Sequence, residues 1–542
     1  MSSRERFLPP ALAGALLALA ACGAPSTRSA MPTPSPEAGA TGTITILHTN
    51  DFHGRYLPFR AAPGNATAQT GDPGREPAEF ERSGLVGGFA QLATAVERLR
   101  RERGAANVLL LHGGDTFSDD LLGNRTRGEA MIRLMSALGY RMAALGNHDF
   151  DYGAERTREL QRLASFPLRG ANVLERATGQ PFLGEPFAVF AVGGVRVGVL
   201  ALGYHNTHLT GNPEHVQALR FTDGIAAARQ YVPRLRERAD VVVVLSHQGT
   251  KVDELLAQQV SGIDVILAAH SHDRLEPPRR LGATWLAQAM SDAAMLGELV
   301  LEVRDGRVTA VRGQGHVLWS EAYPPEPRLA ALIDSLRAPY RAELEERLAV
   351  AATPIGRQYR SESPFDKLVG RILREHTGAE IAMLPGVGYG VTLQPGPITR
   401  EGLATLLPHS SRVVTLQLSG AQVRALLEQS ATNQQPPTPQ EWVGGLIQTD
   451  GLQWTVDLTR PIGQRARDVR VGGQPLAEAR RYRVVTHGGM LAGIHRYDTF
   501  RQGSDVRETA EQVGEVVAAA LRRLGTVSAP PLGDVTLVKG GG

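Results

Sequence analysis

Leu145-Gly146-Asn147-His148-Asp149-Phe150-Asp151 is the stretch that decides the fold, because here an apolar run from Met142 ends and polar, metal-ligating residue types begin. Four other apolar, strand-like runs end in the same way. They are Ile44 to Leu47 before Asp51-Phe52-His53, Val108 to Leu111 before Gly114-Asp115, Val241 to Leu245 before Ser246-His247, and Val265 to Ala268 before His270-Ser271-His272. Ligands delivered at the carboxyl ends of several strands are typical of an open α/β sheet, which binds at that edge.

The residue types at these strand ends indicate a metal site. The candidate ligands are two aspartates, four histidines and one asparagine: Asp51, His53, Asp115, Asn147, His247, His270 and His272. Oxygen and imidazole ligands without a thiolate suit Zn, Mn, Fe, Co or Ni better than an iron–sulfur cluster or a structural zinc site. Seven side chains are too many for one tetrahedral ion, but they suit two ions that share a carboxylate and clamp a phosphoryl group. We therefore expect two divalent metal ions.

In order and spacing, these clusters resemble the signature of calcineurin-like metallophosphoesterases, and in detail that of the bacterial 5′-nucleotidase family. The matching segments are His48 to Gly54, Gly87 to Ala90, Gly113 to Thr116 and Leu145 to Gly153. The resemblance is specific over about residues 43–320 and much weaker over about residues 350–525. It implies an α/β fold, in which a four-layer α-β-β-α metallophosphoesterase domain precedes a smaller α/β substrate-binding domain.

The resemblance also implies a role for each candidate residue. Asp51, His53 and His272 would hold one metal, Asn147, His247 and His270 the other, and Asp115 would bridge them. His148 would be the catalytic histidine, oriented by Asp151, since a carboxylate beside an imidazole fixes its tautomer and favours its charged form. The implied nucleophile is metal-bound hydroxide, because two divalent ions bring the pKa of bound water towards neutrality.

Length and composition favour two domains and exclude several classes of partner. A chain of 542 residues is too long for a single core. The net charge of +3 is spread along the chain without a basic run, which argues against polymeric nucleic acid as a partner. We expect a lipoprotein signal peptide (1–22), a flexible tether (23–42), the metallophosphoesterase domain (43–320), a helical linker (321–350) and a C-terminal 5′-nucleotidase-like substrate-binding domain (351–538).

The N-terminus has the pattern of an export signal. Arg4 and Arg6 precede an apolar stretch from Ala11 to Ala21, which is too short to span a membrane and ends in small residues. Cys22, the only cysteine in the chain, follows directly and resembles the lipidated cysteine of a bacterial lipobox. We expect a protein of the cell envelope or periplasm that meets the membrane only through a lipid at Cys22. An ordinary signal peptide with an incidental cysteine is the alternative.

The C-terminal part departs from the family where the family binds its substrate. Leu384 to Gly390 stands in place of an arginine-containing segment and has no arginine, and Pro408 to Arg412 replaces a loop that supplies a base-stacking phenylalanine. The aromatic clamp is therefore not visible at its usual positions, although stacking contributes about 1–3 kcal/mol per base. The residues that could line a different pocket are Tyr389, His409, Arg412, His495, Tyr497 and Phe500. Packing and surface roles are the alternative for each of them.

These observations favour an enzyme that hydrolyses a small phosphate ester outside the cytoplasm, most simply a 5′-nucleotidase-type phosphomonoesterase. A cyclic-nucleotide or nucleotide-sugar phosphodiesterase is the alternative within enzymes. Hydrolysis of a sulfur ester by a related fold is a further variant, but such relatives alter the Asn-His cluster that Asn147 and His148 keep here. A noncatalytic, ligand-binding surface lipoprotein is the alternative of another class. The complete ligand set, with His148 and Asp151 beside it, argues against a noncatalytic lipoprotein.

Overall fold

The computed structural model describes residues 39–64, 66–67 and 80–539. The predicted signal peptide, Cys22 and the tether up to residue 38 lie outside these ranges. In the described part of the chain, no helix combines the length and the apolar character that crossing a membrane requires.

The first three predicted strand ends belong to one six-stranded sheet. Its order is Arg307–Val317, Met295–Arg304, Gly42–Thr49, Val108–His112, Met142–Ala144 and Leu168–Arg169. The last four of these strands are parallel, so their carboxyl ends meet at one edge.

The other two predicted strand ends belong to a second six-stranded sheet. Its order is Arg274–Leu281, Thr284–Ala289, Val265–Ala268, Val241–Ser246, Val195–Leu202 and Phe187–Val192. The four central strands are parallel. Val241–Ser246 is buried along its whole length, as a continuous apolar run predicts for a parallel strand that is covered on both faces.

The two sheets pack face to face through one apolar layer. Ile46 and Leu111 of the first sheet share this layer with Val199, Val243 and Leu267 of the second. Helices cover the two outer faces: Phe89–Arg103, Leu121–Thr126, Glu129–Leu138 and Ala154–Leu163 on the first sheet, and Gly224–Arg236 and Thr250–Gln259 on the second. The predicted four-layer α-β-β-α architecture is therefore confirmed.

The segment after the strand Arg307–Val317 is helical over a shorter range than its sequence predicts. A helix spans Pro327–Arg337, and Glu326 caps it by accepting hydrogen bonds from two backbone N–H groups of the first turn. A short helix at Arg341–Leu344 follows, but Arg347–Ala351 is a strand that pairs with Gly396–Thr399 and Thr526–Val527. Sheet pairing with distant strands overrides the local helical pattern here.

The C-terminal part is a smaller α/β unit with a mixed sheet. The sheet order is Gln448–Asp450, Ile381–Leu384, Arg481–His487, Arg412–Ser419 and Ser504–Gln512. Helices Pro364–Thr377 and Val513–Leu524 pack on one face and Gly420–Gln434 on the other. The helix Gly420–Gln434 also packs against a four-stranded sheet. The strand order of this sheet is Gln474–Pro475, Ala466–Val471, Leu452–Asp457 and Val535–Val538.

Buried polar contacts join the two parts of the protein. Arg337 donates to the Tyr56 hydroxyl (2.8 Å) and to the Glu401 carboxylate (2.5 Å), and the Tyr56 hydroxyl also bonds to Glu401. At a second point, the Tyr204 hydroxyl donates to the backbone carbonyl of Trp442 (2.7 Å). These contacts place loops of the C-terminal part opposite the strand ends of the first part.

Candidate metal centre

A cleft of about 940 Å³ lies at the carboxyl ends of the two large sheets. Five of the seven predicted ligands form one wall together with His148: His53, Asp115, Asn147, His270 and His272. Loops of the C-terminal part form the other wall, with Arg357, Tyr389, His409, Trp442, His487 and His495 among its residues. The sheet edge that the sequence predicts as the ligand site is therefore one side of a two-sided cleft.

Asp51, His53 and His272 form one buried group whose ligand atoms lie within 4.8 Å of one another. The Nε2 atoms of His53 and His272 are 3.0 Å apart, and Asp51 Oδ1 is 3.4 Å from His272 Nε2. His53 Nδ1 bonds to Asp119 Oδ2 (2.7 Å), which leaves Nε2 facing the group. Two imidazole nitrogens and a carboxylate oxygen directed at one point suit a divalent ion.

Asp115, His247 and His270 form a second group of the same kind. Asp115 Oδ2 lies 3.1 Å from His247 Nε2, and His247 Nδ1 donates to the Gly113 carbonyl (2.8 Å), which fixes the orientation of the ring. Asn147 Oδ1 and His247 Nε2 are both buried without a hydrogen-bond partner. Buried polar atoms without partners are costly, and a metal ion would satisfy both, so the residues present fit the predicted metals.

Asp115 connects the two groups, because its carboxylate also lies within 4.8 Å of ligand atoms of His53 and His148. The loop that carries Asp115 and the loop that carries Gly146 pack closely against each other. A Cβ atom at Gly146 would lie 2.1 Å from Asp115 Oδ1, so that position requires glycine. Asp149 holds the same loops together by accepting from the backbone N–H groups of Asp115, Thr116 and Gly146 (3.1, 2.8 and 2.8 Å).

The backbone of the site is strained. Six non-glycine residues at or beside the two groups adopt the left-handed conformation: Asp51, His53, Asp115, Asp119, His270 and His272. Such conformations cost about 1–3 kcal/mol each and persist where the surrounding structure holds them, which is common at functional sites.

The charges of the site favour ionised carboxylates and a protonated His148. Burial alone would raise the pKa of Asp51, but His272 and His247 hold it below its usual range. Burial opposes the charged form of His148 in the same way, yet Asp119 and Asp151 raise its pKa well above the usual range. His148 Nδ1 lies 2.8 Å from Asp151 Oδ2, and the Ser118 hydroxyl donates to the same oxygen (3.0 Å).

The structure brings three of the six residues suggested for a substrate pocket to the cleft, namely Tyr389, His409 and His495. Tyr389 is 7% exposed, and its ring lies edge-on to the ring of His148 with centroids 5.2 Å apart. The ring of His409 stacks parallel to that of His148, with centroids 5.6 Å apart.

Arg412, Tyr497 and Phe500, which the sequence also suggested, are not among the residues that line the cleft. Tyr497 and Phe500 are fully buried in the core beneath the helix Gly420–Gln434, so packing accounts for both rings. Arg412 is exposed at the start of a strand of the mixed sheet. Buried His495, which the sequence also suggested, does line the cleft.

Three residues of the site, Asp119, Arg357 and Trp442, were not predicted from the sequence. Asp119 orients His53, and its position four residues after Asp115 in the same loop was an available signal. Arg357 lies over the Tyr389 ring (5.3 Å) and forms a two-bond ion pair with Asp366 (2.8 and 3.1 Å). Trp442 lines the cleft with the guanidinium of Arg360 4.2 Å from its ring centre, and no local pattern marks it.

Comparison with known proteins agrees with this geometry. The family model for calcineurin-like phosphoesterases matches residues 44–274, and the model for the 5′-nucleotidase C-terminal domain matches residues 344–502. A 5′-nucleotidase of Bos taurus is 26% identical over 530 residues, which cover 89% of this chain and 88% of the relative.

Two solved structures from Thermus thermophilus are similar over almost the whole chain. A 5′-nucleotidase precursor is 26% identical with a TM-score of 0.81, covering 92% of this chain and 100% of the other. The sulfate thiohydrolase SoxB in complex with glycerol is also 26% identical with a TM-score of 0.83, covering 94% of this chain and 98% of the other.

Fold and site together define a metallophosphoesterase, a metal-dependent hydrolase of phosphoric esters. The chain carries a calcineurin-like phosphoesterase domain followed by a 5′-nucleotidase C-terminal domain.

Replacement of Asp115 by Asn should weaken both metals together, because one carboxylate lies between the two groups. We expect metal affinity to fall at least about tenfold at both positions, measured by equilibrium dialysis and elemental analysis. Asp450→Asn is the matched control, since it removes a buried carboxylate that pairs with Arg374 in the C-terminal sheet. Loss of one ion with full retention of the other would reject the bridging role.

Proposed function

We propose that this protein is an exported 5′-nucleotidase-type phosphomonoesterase with two divalent metal ions. The observation that carries the proposal is the pair of ligand groups that share Asp115, with His148 beside them on the same wall of the cleft. Asp51, His53 and His272 would hold one ion, Asn147, His247 and His270 the other, and Asp115 both. When bound, the two ions supply Lewis-acid stabilisation of the phosphoryl group and activation of water.

His148 is the group we assign to proton transfer and charge neutralisation. Asp151 holds its Nδ1, so Nε2 is the ring atom left to face a substrate. The acidic neighbours favour the protonated ring, which can donate to a phosphoryl oxygen or to the leaving-group oxygen. Ser118 keeps Asp151 in place, and the half-buried position of the pair limits competition from water.

The opposite wall of the cleft supports a nucleotide as substrate. The cleft volume is in the range that encloses a small ligand. Tyr389 and Trp442 give this wall aromatic surfaces, and stacking on such surfaces holds a nucleobase. The relatives named 5′-nucleotidase support the same substrate class.

The proposal is tested by phosphate release from a panel of substrates with the metal-reconstituted mature protein. The panel comprises AMP, ATP, UDP-glucose, 2′,3′-cyclic AMP, a sugar phosphate, an aryl phosphate and, because of the resemblance to SoxB, a thiosulfate ester assayed for sulfate. We expect AMP to be preferred by kcat/KM. Preference for UDP-glucose or the cyclic nucleotide would instead indicate a phosphodiesterase, and activity on the aryl phosphate alone would reject a nucleotidase. Inactivity on every substrate would favour a noncatalytic binding protein.

Replacement of His148 by Ala should lower kcat by roughly 10²- to 10⁴-fold, the usual contribution of a positioned acid or base. Metal content should stay near two ions per chain, because His148 belongs to neither set of three ligands assigned above. His215→Ala, a histidine outside the cleft lining, is the control. An unchanged kcat would reject the assigned role.

The location of the protein is a separate part of the proposal. Export and a lipid at Cys22 are supported by the lipobox-like sequence around that residue. Cys22→Ser should move the protein from the membrane fraction to the soluble fraction, because the acyl chains hold it there. Ser26→Ala, four residues further on, keeps the cysteine and should stay with the membrane. Tight membrane association of the Cys22→Ser variant would reject lipidation.

A further inference from the structure

A third group of ligand-type side chains lies beside the two groups described above. Asp119, His148, Asp151 and His409 each offer one nitrogen or oxygen atom, and these atoms lie within 4.8 Å of one another. Three of the four residues come from loops of the metallophosphoesterase part. His409 comes from the C-terminal part and reaches across the cleft.

Asp119 has an oxygen that the two-metal centre does not use. Its Oδ2 bonds to His53, but its Oδ1 is buried without a hydrogen-bond partner, and the side chain is only 1% exposed. His409 Nε2 is the facing group, 3.3 Å from this oxygen. A buried carboxylate oxygen without a hydrogen bond, facing an imidazole nitrogen, needs a cation or a proton donor.

The other two residues of the group, His148 and Asp151, lie close to the same atoms. Asp151 Oδ2 lies 2.8 Å from His148 Nδ1 and 3.9 Å from His409 Nδ1. Tyr389 packs edge-on against both histidine rings, with centroids 5.2 and 5.6 Å away, and covers one side of the group.

We propose that Asp119, His148, Asp151 and His409 form a third metal site, one that takes a zinc ion. Two imidazole nitrogens and two carboxylate oxygens are a complete tetrahedral ligand set for Zn²⁺. Two carboxylates within the set would balance the charge of the ion.

Zinc at this site would oppose catalysis and join the two parts of the protein. The ion would occupy the Nδ1 side of His148 and remove the hydrogen bond with Asp151. It would also bind His409, so that the C-terminal wall could not separate from the strand ends. The inhibitory consequence rests on the proposed role of His148, whereas the existence of the site does not.

The test is a zinc titration of the full mature chain that already holds two zinc ions, followed by equilibrium dialysis and elemental analysis. We expect the wild-type protein to reach three zinc ions per chain and His409→Gln to stop at two, or to bind the third at least tenfold more weakly. His376→Ala is the matched control, because His376 and His409 have the same side-chain exposure (39%) and each faces a carboxylate. This control should still bind three ions.

Asp151→Asn is a second variant, because Asp151 lies in neither group of the two-metal centre. It should also weaken the third ion and leave the first two in place. A wild-type protein that stops at two zinc ions would overturn the proposal. So would a His409→Gln variant that keeps the third ion with wild-type affinity.

Activity provides the second readout. If the site exists and His148 has its proposed role, excess zinc should inhibit the wild-type enzyme and the His376→Ala variant, but not His409→Gln. Three bound ions without inhibition would support the site and reject the role of His148. Inhibition of His409→Gln at the same zinc concentration as wild type would place the inhibitory ion elsewhere and overturn the proposed effect.

Discussion

Two sheets, each with four parallel strands, pack against each other through one apolar layer, and the rest of the structure depends on this constraint. Each sheet ends its parallel strands at the same edge, and the shared layer fixes the two edges side by side. The candidate ligands could not meet without this arrangement, since Asp51, Asp115 and Asn147 follow strands of one sheet and His247 and His270 follow strands of the other. A core made of apolar side chains thus sets the distances between polar groups that it does not contain.

The site that results is costly in the absence of metal. Several carboxylates are removed from water next to one another, and six residues hold left-handed backbone conformations. Histidines compensate part of this charge, which explains why burial fails to raise the pKa of Asp51 or Asp115. Because the ligand forms of these residues are deprotonated, metal uptake would release protons, and binding energy would add to the stability of the fold. No disulfide within the chain adds to this stability, because Cys22 is its only cysteine.

The first part of the chain could be predicted well from its sequence, and the C-terminal wall could not. Strands such as Val241–Ser246 are local apolar runs, and each ligand follows its run within a few residues, so short-range pattern is sufficient. Tyr497 and Phe500 show the opposite case, because only long-range packing decides whether an aromatic ring faces a core or a cleft. The strand Arg347–Ala351 was not predicted for the same reason, because its partner strands lie about 50 and 180 residues further along the chain.

The candidate metal ligands and the loops that face them lie in different parts of the fold, and this separation has an evolutionary consequence. All seven candidate metal ligands lie between residues 51 and 272, whereas the facing loops at 384–390 and 408–412 belong to a different sheet and its helices. Substitutions in those loops can therefore accumulate without changing these seven ligands, and selection can change which molecule is accepted while the reaction is inherited intact.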